Sequence, residues 1–218
     1  MNCRSVPPRS ARWNPPTPRR RSPARPRGSH AVMVSLALLA VSAFAATAQD
    51  LPRPPAGFTW ERLPEIKGAV LRPAGWRLAP DRTGQGWGYR ISETGKGDPA
   101  SVEIHVLLGL GPTPARDAAQ FASDFLAQMS ASFRAERTWG GSRETYAMRA
   151  GFFADNQDVK SPRKAFLQVL VDQKTRTLVV VSFASPARDW DEEWKIGEAV
   201  CENLILPDEA AIKSLRAP

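Results

Sequence analysis

Two neighbouring stretches, Lys164–Val171 and Thr177–Ala184, are apolar on both of their alternating faces. In the first, Leu167, Val169 and Val171 oppose Phe166 and Leu170; in the second, Leu178 and Val180 oppose Val179, Val181 and Phe183. A strand sends successive side chains to opposite sides, so a strand apolar on both must be covered on both. The polar segment between them, Asp172–Arg176, is short enough to read as a hairpin. The pair therefore calls for the centre of a layered sheet with antiparallel strands.

The rest of the chain supplies the other layers. Ser101–Leu108 alternates cleanly, with Val102, Ile104, Val106 and Leu108 on one side and Ser101, Glu103 and His105 on the other, the pattern of a half-buried strand. Further strands are expected at Ala69–Leu71 and Gly88–Ser92, and over Glu144–Ala154, where Gly151 breaks the run. Pro73-Ala74-Gly75-Trp76 reads as a turn delivering Trp76 into the next element, and Gly84–Gly88 as a loop. Ala115–Phe133 switches to helical period, placing Ala118, Ala122, Phe125, Leu126, Met129 and Phe133 on one face. Trp190–Leu204 is a second helix. Asp189 is its expected N-cap, with Glu192 three residues on and Asp191 and Glu193 at the positive end of the helix dipole; Trp190, Trp194, Gly197, Cys201 and Leu204 form its inward stripe. The fold class is α/β in the α+β sense: a mainly antiparallel sheet sandwiched between helices.

The charge is divided sharply along the chain. The first 48 residues carry eight arginines and no acid, whereas the remainder carries 22 basic and 22 acidic side chains. The net charge of +8 and the pI near 10.1 thus belong to the leader. Arg4–Arg27 is dominated by Pro and Arg and too poor in apolar side chains to order itself. Ala31–Ala46 is an apolar or small-residue run of sixteen, short of the roughly twenty that span a bilayer. It ends in Ala46-Thr47-Ala48, which predicts a Sec-type signal peptide cut between Ala48 and Gln49, and a periplasmic or secreted product with no membrane insertion after cleavage. Ser22-Pro23 after Arg19-Arg20-Arg21 argues against a twin-arginine signal, and no cysteine follows the apolar run to carry a lipid. The long basic stretch points to a start downstream of Met1, yet Met33 would leave no Lys or Arg ahead of the apolar run. The expected organisation is a leader over residues 1–48, an extended Pro-rich lead-in over 49–60, one domain over 61–206, and a tail over 207–218 that is a candidate for a last short helix.

Pro73-Ala74-Gly75-Trp76, Phe183-Ala184-Ser185-Pro186 and Trp190-Asp191-Glu192-Glu193-Trp194-Lys195-Ile196-Gly197, set in an order of strands, helix, strands, helix, resemble the PsbP-like superfamily over roughly Glu61–Leu206. The resemblance implies an antiparallel sheet between helices, used as a non-catalytic accessory; photosystem extrinsic subunits are the best-known examples. It brings no catalytic residue to carry over.

After leader removal the chain keeps one cysteine, Cys201, and one histidine, His105. That excludes an intramolecular disulfide and a zinc site of the usual N/S ligands, and no cofactor or metal is expected. Ser101, Glu103 and His105 share a strand face, but alternate residues lie roughly 7 Å apart and no Gly-x-Ser-x-Gly elbow is present, so His105 reads as a half-exposed surface histidine. Gly84–Gly88 leads into a strand instead of a helix, which argues against a phosphate cradle. Asp155-Asn156-Gln157-Asp158 lacks the register of a calcium loop. Cys201 reads as a small core residue with no cation in register to activate it. Trp76, Trp190 and Trp194 read as core, whereas Trp87 and Trp139, flanked by glycines, are placed on loops as candidate partner contacts. Balanced charge after the leader gives no field for nucleic acid, and Lys160, Arg163 and Lys164 make only a small basic patch.

The functional expectation is an exported, non-catalytic accessory that docks on another protein of the cell envelope. The alternative is a small-molecule or lipid carrier whose pocket lies between sheet and helix, opened by Ala118, Ala119 and Ala122. A weaker alternative is a hydrolase using His105.

Overall fold

The doubly apolar hairpin sits in the middle of the molecule. The structure is a computed structural model that describes residues 51–81, 86–97, 99–155 and 161–216. Strands β1 (Phe58–Leu63) and β2 (Gly68–Pro73) form a two-stranded hairpin. Strands β3 (Trp76–Asp81), β4 (Trp87–Glu93), β5 (Ser101–Leu108), β6 (Arg134–Arg143), β7 (Tyr146–Asp155), β8 (Arg163–Asp172) and β9 (Thr177–Pro186) form one sheet in the order β3-β4-β5-β9-β8-β7-β6. Every neighbouring pair is antiparallel. Helices α1 (Ala118–Met129), α2 (Trp190–Glu202) and α3 (Glu209–Arg216) complete the fold. The α+β architecture expected from the sequence, an antiparallel sheet between helices, is the one found.

The two faces of β8 and β9 bury two separate cores. Leu167, Val169, Val171, Leu178 and Val180 join Phe153 beneath Ala122 and Leu126 of α1. Phe166, Leu170, Val179, Val181 and Phe183 face the other way, against Trp190, Val200 and Cys201 of α2, and β4 and β5 extend that core through Ile91, Val102, Ile104 and Val106. The β8–β9 turn is tightened by the Asp172 carboxylate, whose Oδ1 accepts from the amides of Lys174 (2.9 Å) and Thr175 (3.3 Å). Arg176 takes the left-handed conformation that closes it (φ 51°).

Several elements depart from expectation. Helix α1 starts at Ala118, later than Ala115, because Asp117 is its N-cap and accepts from the Gln120 amide at 2.7 Å. It stops at Met129, where the Ser130 hydroxyl and amide both turn back to the Leu126 carbonyl (2.8 and 2.9 Å). Phe133 therefore lies beyond the helix, and Met129 is exposed. Asp189 does occupy the N-cap of α2, yet its side chain makes no capping bond: Arg188 Nε holds it at 3.2 Å, and Glu192 pairs with Lys195. Strand β6 falls where the sequence pattern predicts no strand, and Glu144 is a turn residue with positive φ, outside the strand expected over Glu144–Ala154. β1 begins at Phe58, inside the Pro-rich lead-in. The tail carries α3, docked through buried Ala211 and Ile212, with the Tyr146 hydroxyl donating to the Pro207 carbonyl at 2.9 Å. Among the described residues, no helix is long and apolar enough to cross a membrane.

Candidate functional site

The inward stripe of α2 rests on a floor of aromatic side chains. Trp190 and Trp194 stack in parallel 5.5 Å apart, one turn from each other on the helix. Trp194 packs on Phe166 (4.9 Å) and edge-on against Phe152 (5.1 Å). Trp139 extends the cluster outward, 5.3 Å from Phe152 and 6.0 Å from Phe166, and the Arg137 guanidinium lies 5.4 Å over its ring. These rings come together because Arg137, Trp139, Phe152 and Phe166 point from β6, β7 and β8 to the same side of the sheet, through the pairings Arg137↔Phe152 and Phe152↔Phe166.

Between the outer strands and α2 this cluster opens as a groove of about 480 Å³, with Glu198 and Glu202 of α2 on its helical wall. At its base lies Gln168 of β8, only 7% exposed. Its Nε2 donates to the Met148 sulfur at 3.1 Å, and its Oε1 is buried with no partner. A buried acceptor left unmet costs about 1–3 kcal/mol, so this oxygen marks a place where a donor from outside would be favoured. The groove's outer end is fixed by Arg143. Its guanidinium donates to the carbonyls of Cys201 (2.8 Å) and Glu202 (2.9 Å), at the unsatisfied end of α2, and to that of Leu204 just beyond it (2.5 Å).

The sequence-predicted residues distribute unevenly around this site. Trp139 lies in the groove, but on strand β6 and not on a loop; Trp87 is likewise no loop residue, since it opens β4 and packs partly buried against the α2-side core. Their glycine neighbours mark close approach instead of turns. A Cβ at Gly88 would strike the Asp81 backbone, and one at Gly140 the Arg149 guanidinium. The two tryptophans sit toward opposite edges of the seven-stranded sheet, so they do not form one patch. Cys201 is buried, and desolvation pushes its thiol up to about 12, although Arg143, an unforeseen neighbouring cation, pulls the other way. Trp76 and Trp190 are buried in the core as expected, whereas Trp194, expected there too, is only partly buried because one side of it lines the groove.

His105 lies on β5 with Nε2 3.8 Å from Glu103 Oε2, so side chains expected to be out of reach lean together. Glu103 is also bound by Arg90, and its carboxyl is held below the usual range by His105 first, with Arg90 adding to this against partial burial. No contact joins Ser101 to either side chain among the described residues. The same residues contain no group of three or more His, Cys, Asp or Glu able to hold a metal. Arg163 donates to the Pro99 carbonyl at 3.3 Å and Lys164 lies 3.7 Å from Glu136, so these two basic side chains already have partners. Ala48, Gln49, Gly84, Gln85, Asn156–Asp158 and Lys160 lie outside the described residues.

Two other concavities lie among the described residues. One of about 740 Å³ borders the β8–β9 turn and Pro207–Glu209, where Lys174, Glu209, Tyr146 and Asp172 already satisfy one another or nearby backbone groups. The second, about 340 Å³, lies beneath α1. It is lined by Ser123, Ala127 and Ser130; Ala122, one of the alanines expected to open such a gap, is fully buried against the sheet.

No protein-family model matches the chain, and no curated protein matches it in sequence. Solved structures do match in fold. The Ran-binding protein Mog1p of Saccharomyces cerevisiae superposes with a TM-score of 0.50 at 12% identity, covering 73% of this chain and 98% of that one. LpqN of Mycobacterium tuberculosis, involved in cell envelope biogenesis, gives 0.53 at 12% identity over 69% of this chain and 91% of that one. Cyanobacterial PsbP from Synechocystis gives 0.48 at 10% identity over 70% and 94%. The chain therefore shares its fold with Mog1p and LpqN, and its sheet between helices is the architecture that the PsbP-like resemblance implied.

Proposed function

We propose that this protein is exported to the cell envelope and acts there as a non-catalytic interaction protein, receiving an extended segment of a partner along β6 and in the groove beside α2. The observation that carries this reading is the unmet Gln168 Oε1 at the base of an aromatic groove that adjoins a sheet edge. A partner side chain with an apolar body and a terminal donor, a tyrosine or tryptophan, would fill the groove and meet that oxygen. The strand beside it supports the rest. Eight of the ten β6 residues are exposed, and β6 is the last strand of the sheet, so its outer backbone groups are open to pairing. Its first half is blocked by Arg134, Glu136, Arg137 and an irregularity between Ala135 and Arg137; its second half, Trp139–Ser142, is uncharged and regular.

Export rests on the basic, apolar, Ala-x-Ala order of the leader. A non-catalytic role is supported by the inert setting of Cys201 and by His105 lying against an ionised Glu103 without a nucleophile in contact. Ran binding by Mog1p illustrates that this fold can present a protein-binding surface, and LpqN that it takes part in cell envelope biogenesis. The test is photo-crosslinking in an envelope fraction, with a probe at Ser142 beside the groove and another at Arg77 on the opposite edge strand. A protein adduct at 142, absent at 77 and lost in Gln168→Met, is expected. Equal adducts at both positions, or an adduct at 142 that survives Gln168→Met, would overturn the reading.

A further inference from the structure

The cavity beneath α1 has a single charged group among its lining residues, the guanidinium of Arg149 on β7. Arg149 Nε is buried with no hydrogen-bond partner, and among the described residues its side chain forms no ion pair. Its position is built into the neighbouring strand: Arg149 pairs with Gly140 of β6, and any Cβ there would collide with the guanidinium. Among the described residues the nearby serine hydroxyls accept no hydrogen bond from the guanidinium. Ser123 Oγ donates to the Ala119 carbonyl at 2.9 Å and Ser130 Oγ to that of Leu126 at 2.8 Å. Leu126, Ala127, Ala135 and Phe153 supply apolar walls.

We propose that this cavity binds a small apolar carboxylic acid, its carboxylate received side-on by Nε and one Nη of Arg149 and its hydrocarbon portion lying between α1 and β7. Charge complementarity selects the group. An unpaired, partly buried cation is costly, and a planar monoanion presents two acceptors at the spacing of the guanidinium fork. A phosphate dianion would bring more charge than the single arginine balances in these surroundings. The volume, about 340 Å³, falls in the range of small-ligand sites. Phe152 and Phe153, consecutive on β7, point into the two different cores, so this site and the α2 groove draw on opposite faces of the sheet and share only Trp139.

The test is titration calorimetry of the purified protein with octanoate, octylammonium and 1-octanol. Octanoate is expected to bind saturably and at least about tenfold more tightly than octanol, with no binding of octylammonium. Arg149→Gln should bring octanoate to the level of octanol. Gly140→Ala, which keeps the charge but displaces the guanidinium, should weaken octanoate by about tenfold while thermal unfolding stays cooperative. Equal binding of octanoate and octanol, octanoate binding unchanged in Arg149→Gln, or no saturable octanoate binding would each overturn the proposal.

Discussion

Gly197 of α2 faces the ring of Phe183 on β9 with no space for another carbon between them: a Cβ at 197 would lie 2.7 Å from two ring atoms. The ring cannot swing aside freely, because Trp190 and Trp194 each pack 5.6 Å from it. Gly197→Ala therefore sets a helix-propensity gain of about 1 kcal/mol against an overpacking cost of about 1–3 kcal/mol. A net loss of about 1 kcal/mol, the midpoint of that balance, is expected by urea denaturation. A variant as stable as the parent would show that the helix can lift off the sheet without penalty.

Arg143 joins the β6–β7 hairpin to the C-terminal end of α2 through three carbonyls. Hydrogen bonds to a charged group contribute about 1.5–3 kcal/mol each but do not add fully, so Arg143→Met should destabilise by about 3 kcal/mol. Hydrogen exchange should speed up around Cys201–Leu204 ahead of the rest of the helix. Uniform exchange along α2 in the variant would contradict the role of this side chain.

Burial raises the Cys201 thiol from its ordinary value of 9.0 to about 12. The folded state keeps this proton where the unfolded chain loses it, so the stabilisation is complete below about pH 9 and falls as the pH climbs toward 12. The Tyr146 phenol, also raised mainly by burial, adds to the same slope. Cys201→Ala should flatten the alkaline limb of the stability profile, and the native thiol should react with a disulfide reagent only upon unfolding. Rapid stoichiometric labelling of folded protein at pH 8 would refute this.

At acid pH the sensitive element is α3. Lys174 first, then Lys213, holds Glu209 down to about 2. Its contribution is present above the ordinary 4.5 and is lost as the pH falls toward 2. Amide protection in α3 should decline through that window, and Lys174→Gln should move the decline to higher pH. Both effects should shrink in high salt, since the pair is exposed. Unchanged α3 protection between pH 5 and 2 would remove Glu209 as the cause.

The centre of the sheet was legible because β8 and β9 are apolar on both faces, a pattern with few alternative meanings. α2 was equally clear from the spacing of Trp190, Trp194 and Gly197. Strand β6 was hidden for the opposite reason. Its sequence, Arg134–Arg143, has no apolar alternation, and what orders it is pairing to β7 together with the seat that Phe152 and Phe166 give Trp139. The glycines beside Trp87 and Trp139 suggested loops, whereas they record neighbours that approach too closely for a side chain. Gln168 and Arg149 gave no signal at all. A polar residue in a strand becomes informative only once the surrounding strands show whether its polar atoms are met.

The strand order has a consequence for how the molecule can be divided. β3, β4 and β5 are each paired with their neighbours in sequence, as are β6 through β9, and the two meanders join along one seam, β5 against β9. Helix α1 follows the seam-forming β5 yet packs on β7 and β8, within the second meander. A chain cut between Gly109 and Pro114 would thus part into fragments that each retain their own short-range pairings. Their reassembly would rest on eight residue pairs, from Ser101↔Ala184 to Leu108↔Thr177, together with the Ala69↔Ile205 bridge and the packing of α2 on β2, which makes this protein a natural candidate for fragment complementation.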